Sequence, residues 1–180
     1  MKPILAAALM AIPLPTLAEA QARMEGVYDG REIDGWTYSQ QTAETSSLPT
    51  WLPTQRETLF ATQNCNIGVA SLSASRADYD AYFNSATPES IAQELRGAGS
   101  DVAQAYSTTV VELPGGYPAM RTIFTSRSGN SEFDHLTVLI GGESQLATIT
   151  CSATSGEFLS GLRAFERFVD GLQLEMAPPR

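Results

Sequence analysis

The chain reads as an α+β domain built on an antiparallel sheet, behind a leader that export removes. Three observations predict this. Four extended stretches in the second half are joined by short turns, and short turns between strands force antiparallel pairing. A long amphipathic helical pattern closes the chain over 158–172. Two helix-start signals, at Ser75 and Thr87, interrupt the extended stretches in the middle.

The leader comes first. Lys2 precedes an apolar run from Ile4 to Ile12. Pro13 and Pro15 end it before two A-x-A sites, Ala18-Glu19-Ala20 and Ala20-Gln21-Ala22. This is the three-part layout of a secretory signal, giving a cleaved segment over 1–20 (or 1–22). The run is too short to span a bilayer, which takes about 20 apolar residues. No cysteine follows the small residues, so a lipid anchor is not expected. The predicted location is the periplasm, with the extracellular space as the alternative.

Residues 23–56 suggest short strands around Tyr28 and Trp36, then a Ser/Thr/Pro-rich surface connection from Thr42 to Thr54. Trp36 and Trp51 are expected to pack rather than to bind a ligand. The α+β domain is expected over 57–174, starting with extended segments at 57–62 and 65–72. Ser75 with Asp78 offers a helix cap, and the helix behind it carries Tyr79, Tyr82 and Phe83. Thr87-Pro88-Glu89 starts a second helix, with Ile91 and Leu95 on one face and Gly97 and Gly99 as its stop. Strands follow at 103–113, 118–127, 132–140 and 145–152. Thr154-Ser-Gly-Glu157 matches a capping box, and Phe158, Leu162, Phe165, Val169 and Leu172 form the apolar stripe of the last helix. Its polar face mixes Arg163, Glu166, Arg167 and Asp170, which favours core packing over membrane attachment. Residues 175–180 read as a flexible tail.

Cys65 and Cys151 are the only cysteines, and period-2 patterns turn both toward the core. An even pair in an oxidising compartment points to a disulfide, with two buried free thiols as the alternative.

Composition narrows the function. The net charge of −9 repels phosphates and anionic headgroups, so nucleic acid is not an expected partner. Lys2 is the sole lysine, so the processed chain has no lysine amine for Schiff-base or Ser-Lys chemistry. His135 is the sole histidine. It lies on the strand face opposite Leu136, Val138 and Ile140 and reads as an exposed or rim residue. There is no G-x-S-x-G elbow, and neither cysteine opens a helix. Glu112, Glu132, Asp134 and Glu143 could supply a carboxylate pair, but nothing in the spacing selects one. Asp29 to Asp34 has acids and glycines without the calcium-loop spacing. Two cysteines and one histidine lack a metal site's ligand count, and neither metal nor cofactor is expected. The turn Gly115-Gly116-Tyr117-Pro118 is the candidate binding loop. An exposed Tyr117 would be its anchor; the alternative folds Tyr117 back onto the sheet.

The C-terminal order has a family likeness. Val111-Glu-Leu-Pro-Gly-Gly-Tyr-Pro118-Ala119 leads to a strand with Phe124. Gly141-Gly142 forms a turn, Ile149-Thr150-Cys151 a strand, and Phe158 through Val169 a final helix. This pattern, over roughly 57–174, resembles the PsbP-like superfamily. The resemblance implies a central antiparallel sheet with helices packed on both faces, an α/β/α sandwich. It also implies non-enzymatic docking on larger assemblies, with no shared active site to carry over. The expected function is therefore a non-catalytic periplasmic accessory protein with a protein partner in the envelope. The alternatives are a small hydrolase using surface carboxylates or His135, and a carrier of a small apolar ligand.

Intact-mass analysis of the exported protein is expected to find a chain starting at Gln21 or Arg23. A chain retaining Met1 contradicts the leader.

Overall fold

A computed structural model describes residues 22–54 and 62–180. The leader, and all of the extended stretch expected at 57–62 except Thr62, lie outside the described residues. The elements run β1 (Arg23–Met24), β2 (Tyr28–Asp29), β3 (Trp36–Tyr38), α1 (Gln40–Ser46), β4 (Thr50–Pro53) and β5 (Asn64–Ser71). Next come α2 (Arg76–Ser85), α3 (Pro88–Gly97), β6 (Val102–Leu113), β7 (Tyr117–Ser128), β8 (Ser131–Gly141), β9 (Gln145–Thr154), α4 (Ser155–Gly171) and β10 (Gln173–Leu174). Seven strands form one antiparallel sheet in the order β3-β4-β5-β9-β8-β7-β6. A small second sheet, β1-β2-β10, ties the N-terminal residues to the chain's end.

The period-2 alternation of each strand divides the core between two faces. On one face Cys65, Ile67, Leu136, Val138, Ile140, Ile149 and Cys151 pack under α4. On the other, Met120, Phe124, Leu139 and Leu146 pack under Tyr79 and Phe83 of α2 and Ile91 and Leu95 of α3. Helices therefore cover both faces, as expected. Among the described residues no helix is long and apolar enough to cross a membrane.

The α4 face is bound largely by aromatic rings. Phe168 lies 5.2 Å from the Trp36 ring and 5.4 Å from Trp51, and Trp36 lies 6.0 Å from Phe165. Buried aromatics contribute about 0.5–1.5 kcal/mol per pair beyond their area. Each indole N–H is satisfied: Trp51 donates to the Gly30 carbonyl at 2.8 Å and Trp36 to Ala164 at 3.3 Å. Both tryptophans thus pack internally. They also anchor residues 23–54 to the sheet, so the Thr42–Thr54 stretch is no surface connection. Ser39 caps α1 through Thr42 N–H, and Trp51 of β4 is fully buried. The Ser/Thr richness that suggested a loop supplies helix-capping and turn hydrogen bonds instead.

Helix starts divide similarly. Ser75 and Asp78 form the reciprocal capping box, and Thr87 does so with Ser90. The box expected at Thr154 is absent, because the Thr154 hydroxyl turns to Thr62 and Glu157 accepts from Thr62 at 2.7 Å. Phe168, outside the expected stripe, is buried, whereas Leu162 is only partly so.

The flexible tail expected at 175–180 is also corrected. Met176 is buried, the Glu143 N–H donates to Ala177 O at 2.9 Å, and the Arg76 N–H donates to Arg180 O at 2.8 Å. A segment this short, with Met176 and Pro179 as its buried side chains, carries no periodic signal. Its hold comes mostly from backbone carbonyls, which sequence does not display.

Cys65 and Cys151 face each other across β5 and β9 and are disulfide-bonded, with Cα atoms 4.0 Å apart. The bond spans 86 residues of sequence. Replacing both cysteines by alanine is expected to cost about 2–5 kcal/mol in urea unfolding, largely through the freed unfolded chain. A loss under ~1 kcal/mol contradicts that role.

Candidate functional site

The face under α2 and α3 is only partly covered. Those helices sit over β6, β7 and β8, whose residues there include Met120, Phe124 and Leu139. At the opposite margin α1 packs beside β4, where Ser46 Oγ and Thr50 Oγ1 lie 3.1 Å apart. Between them runs a strip floored by β5 and β9. Its side chains are Asn64, Asn66, Thr148, Thr150 and Ser152, with Gly68 at its middle. All but Ser152 are half-exposed, and a Cβ on Gly68 would meet nothing within 4 Å. The strip is open, hydrogen-bonding and without charge.

Its neighbour on β8 is His135. Nε2 lies 2.7 Å from Ser126 Oγ and Nδ1 2.7 Å from Ser152 Oγ, and the ring stacks on Phe124 at 4.7 Å. Further along, Thr137 and Thr150 hydroxyls meet at 3.1 Å and Thr122 donates to Ser107 O at 2.9 Å. The sequence placed His135 on the right face, but it is held in place rather than free at a rim. Burial pushes its pKa down to about 4, against a smaller opposing effect of Asp134. At neutral pH the imidazole is uncharged, donating from one nitrogen and accepting at the other.

The candidate loop does not present its tyrosine. Gly115 and Gly116 take φ of +93° and +83°, conformations that favour glycine, and the turn folds Tyr117 inward. Tyr117 is 7% exposed, and its hydroxyl donates to Met176 O. The exposed-anchor expectation for Gly115, Gly116, Tyr117 and Pro118 is corrected: the ring fills the gap between sheet and C-terminal segment.

The carboxylates are dispersed among separate partners. Glu112 pairs with Arg76 at 2.9 Å, Glu132 with Arg127 at 3.1 Å and Glu143 with Arg180 at 3.7 Å, while Asp134 accepts from Thr125. Asp29 is gripped by Arg31 at 2.6 Å, and that hydrogen bonding lowers its pKa to about 2. Its oxygens are therefore committed to Arg31 within the Asp29–Asp34 loop. An open depression beside the β7–β8 hairpin, lined by Arg127, Asn130, Ser131 and Ser155, has its cation already paired with Glu132. The open strip could have been found from sequence. The alternate positions of β5 and β9 on the face away from the cysteines read Asn, Asn, Gly, Ala and Leu, Thr, Thr, Ser, polar or glycine except at the Ala70–Leu146 end, where a covered face would be apolar throughout.

No family model and no curated protein matches the chain. Solved structures do. LpqN of Mycobacterium tuberculosis, involved in cell envelope biogenesis, is similar with a TM-score of 0.52 and 13% identity, over 78% of this chain and 79% of that one. PsbP of the cyanobacterium Synechocystis is similar with a TM-score of 0.47 and 10% identity, over 89% and 99%. A Pseudomonas aeruginosa protein of unknown function, a putative regulator, reaches 0.39 and 11% identity, over 61% and 72%. The likeness to LpqN is one of fold.

The neutral His135 has a stability signature. Its folded pKa lies below the ordinary value near 6.5, so the unfolded chain binds the proton first on acidification. Stability is expected to fall by up to about 3 kcal/mol between pH 6.5 and 4. Asp29 acts in a lower window, its contribution fading only as pH falls toward 2. Urea unfolding across pH 4–7 should show a shallower slope for His135→Gln. An unchanged slope refutes the assignment.

Proposed function

We propose that the chain is a non-catalytic accessory protein of the bacterial envelope that docks on a larger assembly through the open strip of β5 and β9. The strip itself carries the reading. Amide and hydroxyl side chains on a rigid sheet give directional hydrogen bonds without burying a charge, which suits a polar macromolecular surface. Small-molecule sites instead enclose most of their ligand, and Gly68 opens directly outward. The disulfide fits folding in an oxidising compartment. The likeness to LpqN, a protein of cell envelope biogenesis, supports an envelope setting.

A hydrolase reading has one observation in its favour, the Ser126–His135–Ser152 array. A histidine with a pKa near 4 is a weak base at neutral pH, so the array acts as a structural clamp. The carrier reading meets a filled interior: Trp36, Phe165 and Phe168 occupy the space between α4 and the sheet.

A photo-crosslinking residue at Thr148, in the exported full chain, should capture one dominant envelope protein in cells. The same residue at exposed Arg167 of α4 should not. Failure at Thr148, or equal capture at both positions, rejects the strip. Covalent labelling by a serine-directed fluorophosphonate that is lost in Ser126→Ala moves the assignment to a hydrolase.

A further inference from the structure

The seven-stranded sheet has two edges, and they differ. One is β3, three residues long. The other is β6, twelve residues long, with no lysine, arginine or proline along Val102–Leu113. Edge strands left unpaired are normally guarded by charge, proline, bulges or brevity. The start of β6 has such guards: register irregularities between Val102 and Ser107, and the Arg96 guanidinium donating to Val102 O at 2.9 Å and Ala103 O at 3.3 Å. Its end is held by Arg76, which pairs with Glu112. Between Gln104 and Val111 there is no charged side chain. Ser107–Leu113 pairs regularly with β7, and Tyr106 and Val110 are 55% and 39% exposed.

We infer that β6 is a self-pairing edge, joining β6 of a second copy in antiparallel register about a dyad at Thr109. The inference stands apart from the docking strip, which lies on β5 and β9. A strand's outward N–H and C=O groups are matched by another extended strand, and a two-fold axis makes one patch serve both copies. With the dyad at Thr109, Thr108 meets Val110 and Ser107 meets Val111, each pair on one face of the sheet. Charge selects the occupant. A molecule of net charge −9 resists its own kind unless the contact keeps carboxylates apart. This register sets the two Glu112 residues about 20 Å apart, beyond the ~8 Å Debye length of physiological salt. Each Glu112 also keeps its own Arg76. The joined sheet would run through fourteen strands, twice the seven of one chain.

Sedimentation velocity on the full exported chain should give twice the monomer mass at micromolar concentration. Thr109 is exposed and makes no side-chain hydrogen bond among the described residues, so Thr109→Glu and Thr109→Lys should leave the thermal melt in place. Each should raise the dimer dissociation constant at least about tenfold, by setting like charges opposite one another. Mixing the two variants should restore a dimer containing one of each. A wild-type chain that stays monomeric overturns the inference. So does a dimer indifferent to both charges, or a mixture that fails to re-form. If either variant unfolds, Val110→Lys supplies the same comparison.

Discussion

Everything in this fold depends on the pairing of β5 with β9. Eight residues, Asn64 to Ser71, lie in antiparallel register with Ser152 to Gln145. On one side of that seam stand β3 and β4; on the other stand β8, β7 and β6. Without it, the N-terminal strands have no sheet to extend, and the Trp36–Trp51–Phe168 cluster loses its platform. The disulfide sits within the seam, so the covalent link and the hydrogen-bond ladder enforce the same register.

The seam also explains why the two faces differ. Toward α4, its alternate residues are cysteine, isoleucine, valine and alanine, and the face is closed by aromatics from the helix and the early strands. Toward α2 and α3, the alternate residues are asparagine, glycine, threonine and serine, with Ala70 and Leu146 buried at one end. Two helices are too narrow to cover seven strands, since a helix spans about 10 Å and strands are about 4.8 Å apart. The uncovered part is polar, as solvent exposure requires, and His135 marks the boundary. On its Phe124 side the surface is apolar and roofed; on its Ser152 side it is hydroxyl-lined and open.

Much of this was legible in the sequence. The four long strands from 102 to 154 appear within two residues of the expected bounds, because glycine turns and period-2 alternation act locally. The caps at Ser75 and Thr87 were readable for the same reason. The cysteine pairing followed from compartment and parity. What stayed hidden depends on distant partners. Thr154 resembles a cap, yet its hydroxyl serves Thr62, 92 residues away. Whether Tyr117 stands exposed or folds back is decided by Met176 O, the distant acceptor of its hydroxyl. Residues 40–53 and 175–180 have too few apolar side chains to announce elements, and are fixed by Trp51 in one case and by backbone carbonyls in the other. The open strip was written in the alternate residues of β5 and β9, but only the position of the helices tells which polar register is left uncovered.

The seam has a temporal side as well. The ribosome makes β5 first, and β5 must then wait for a partner that begins roughly seventy residues later. The strands β6 to β8 can zip into a meander as they appear, since their contacts are short-range in sequence, whereas the β3–β4–β5 half has nothing to close on. Throughout that interval Cys65 has no Cys151 to bond with. The topology thus makes arrival of β9 the event that commits the domain.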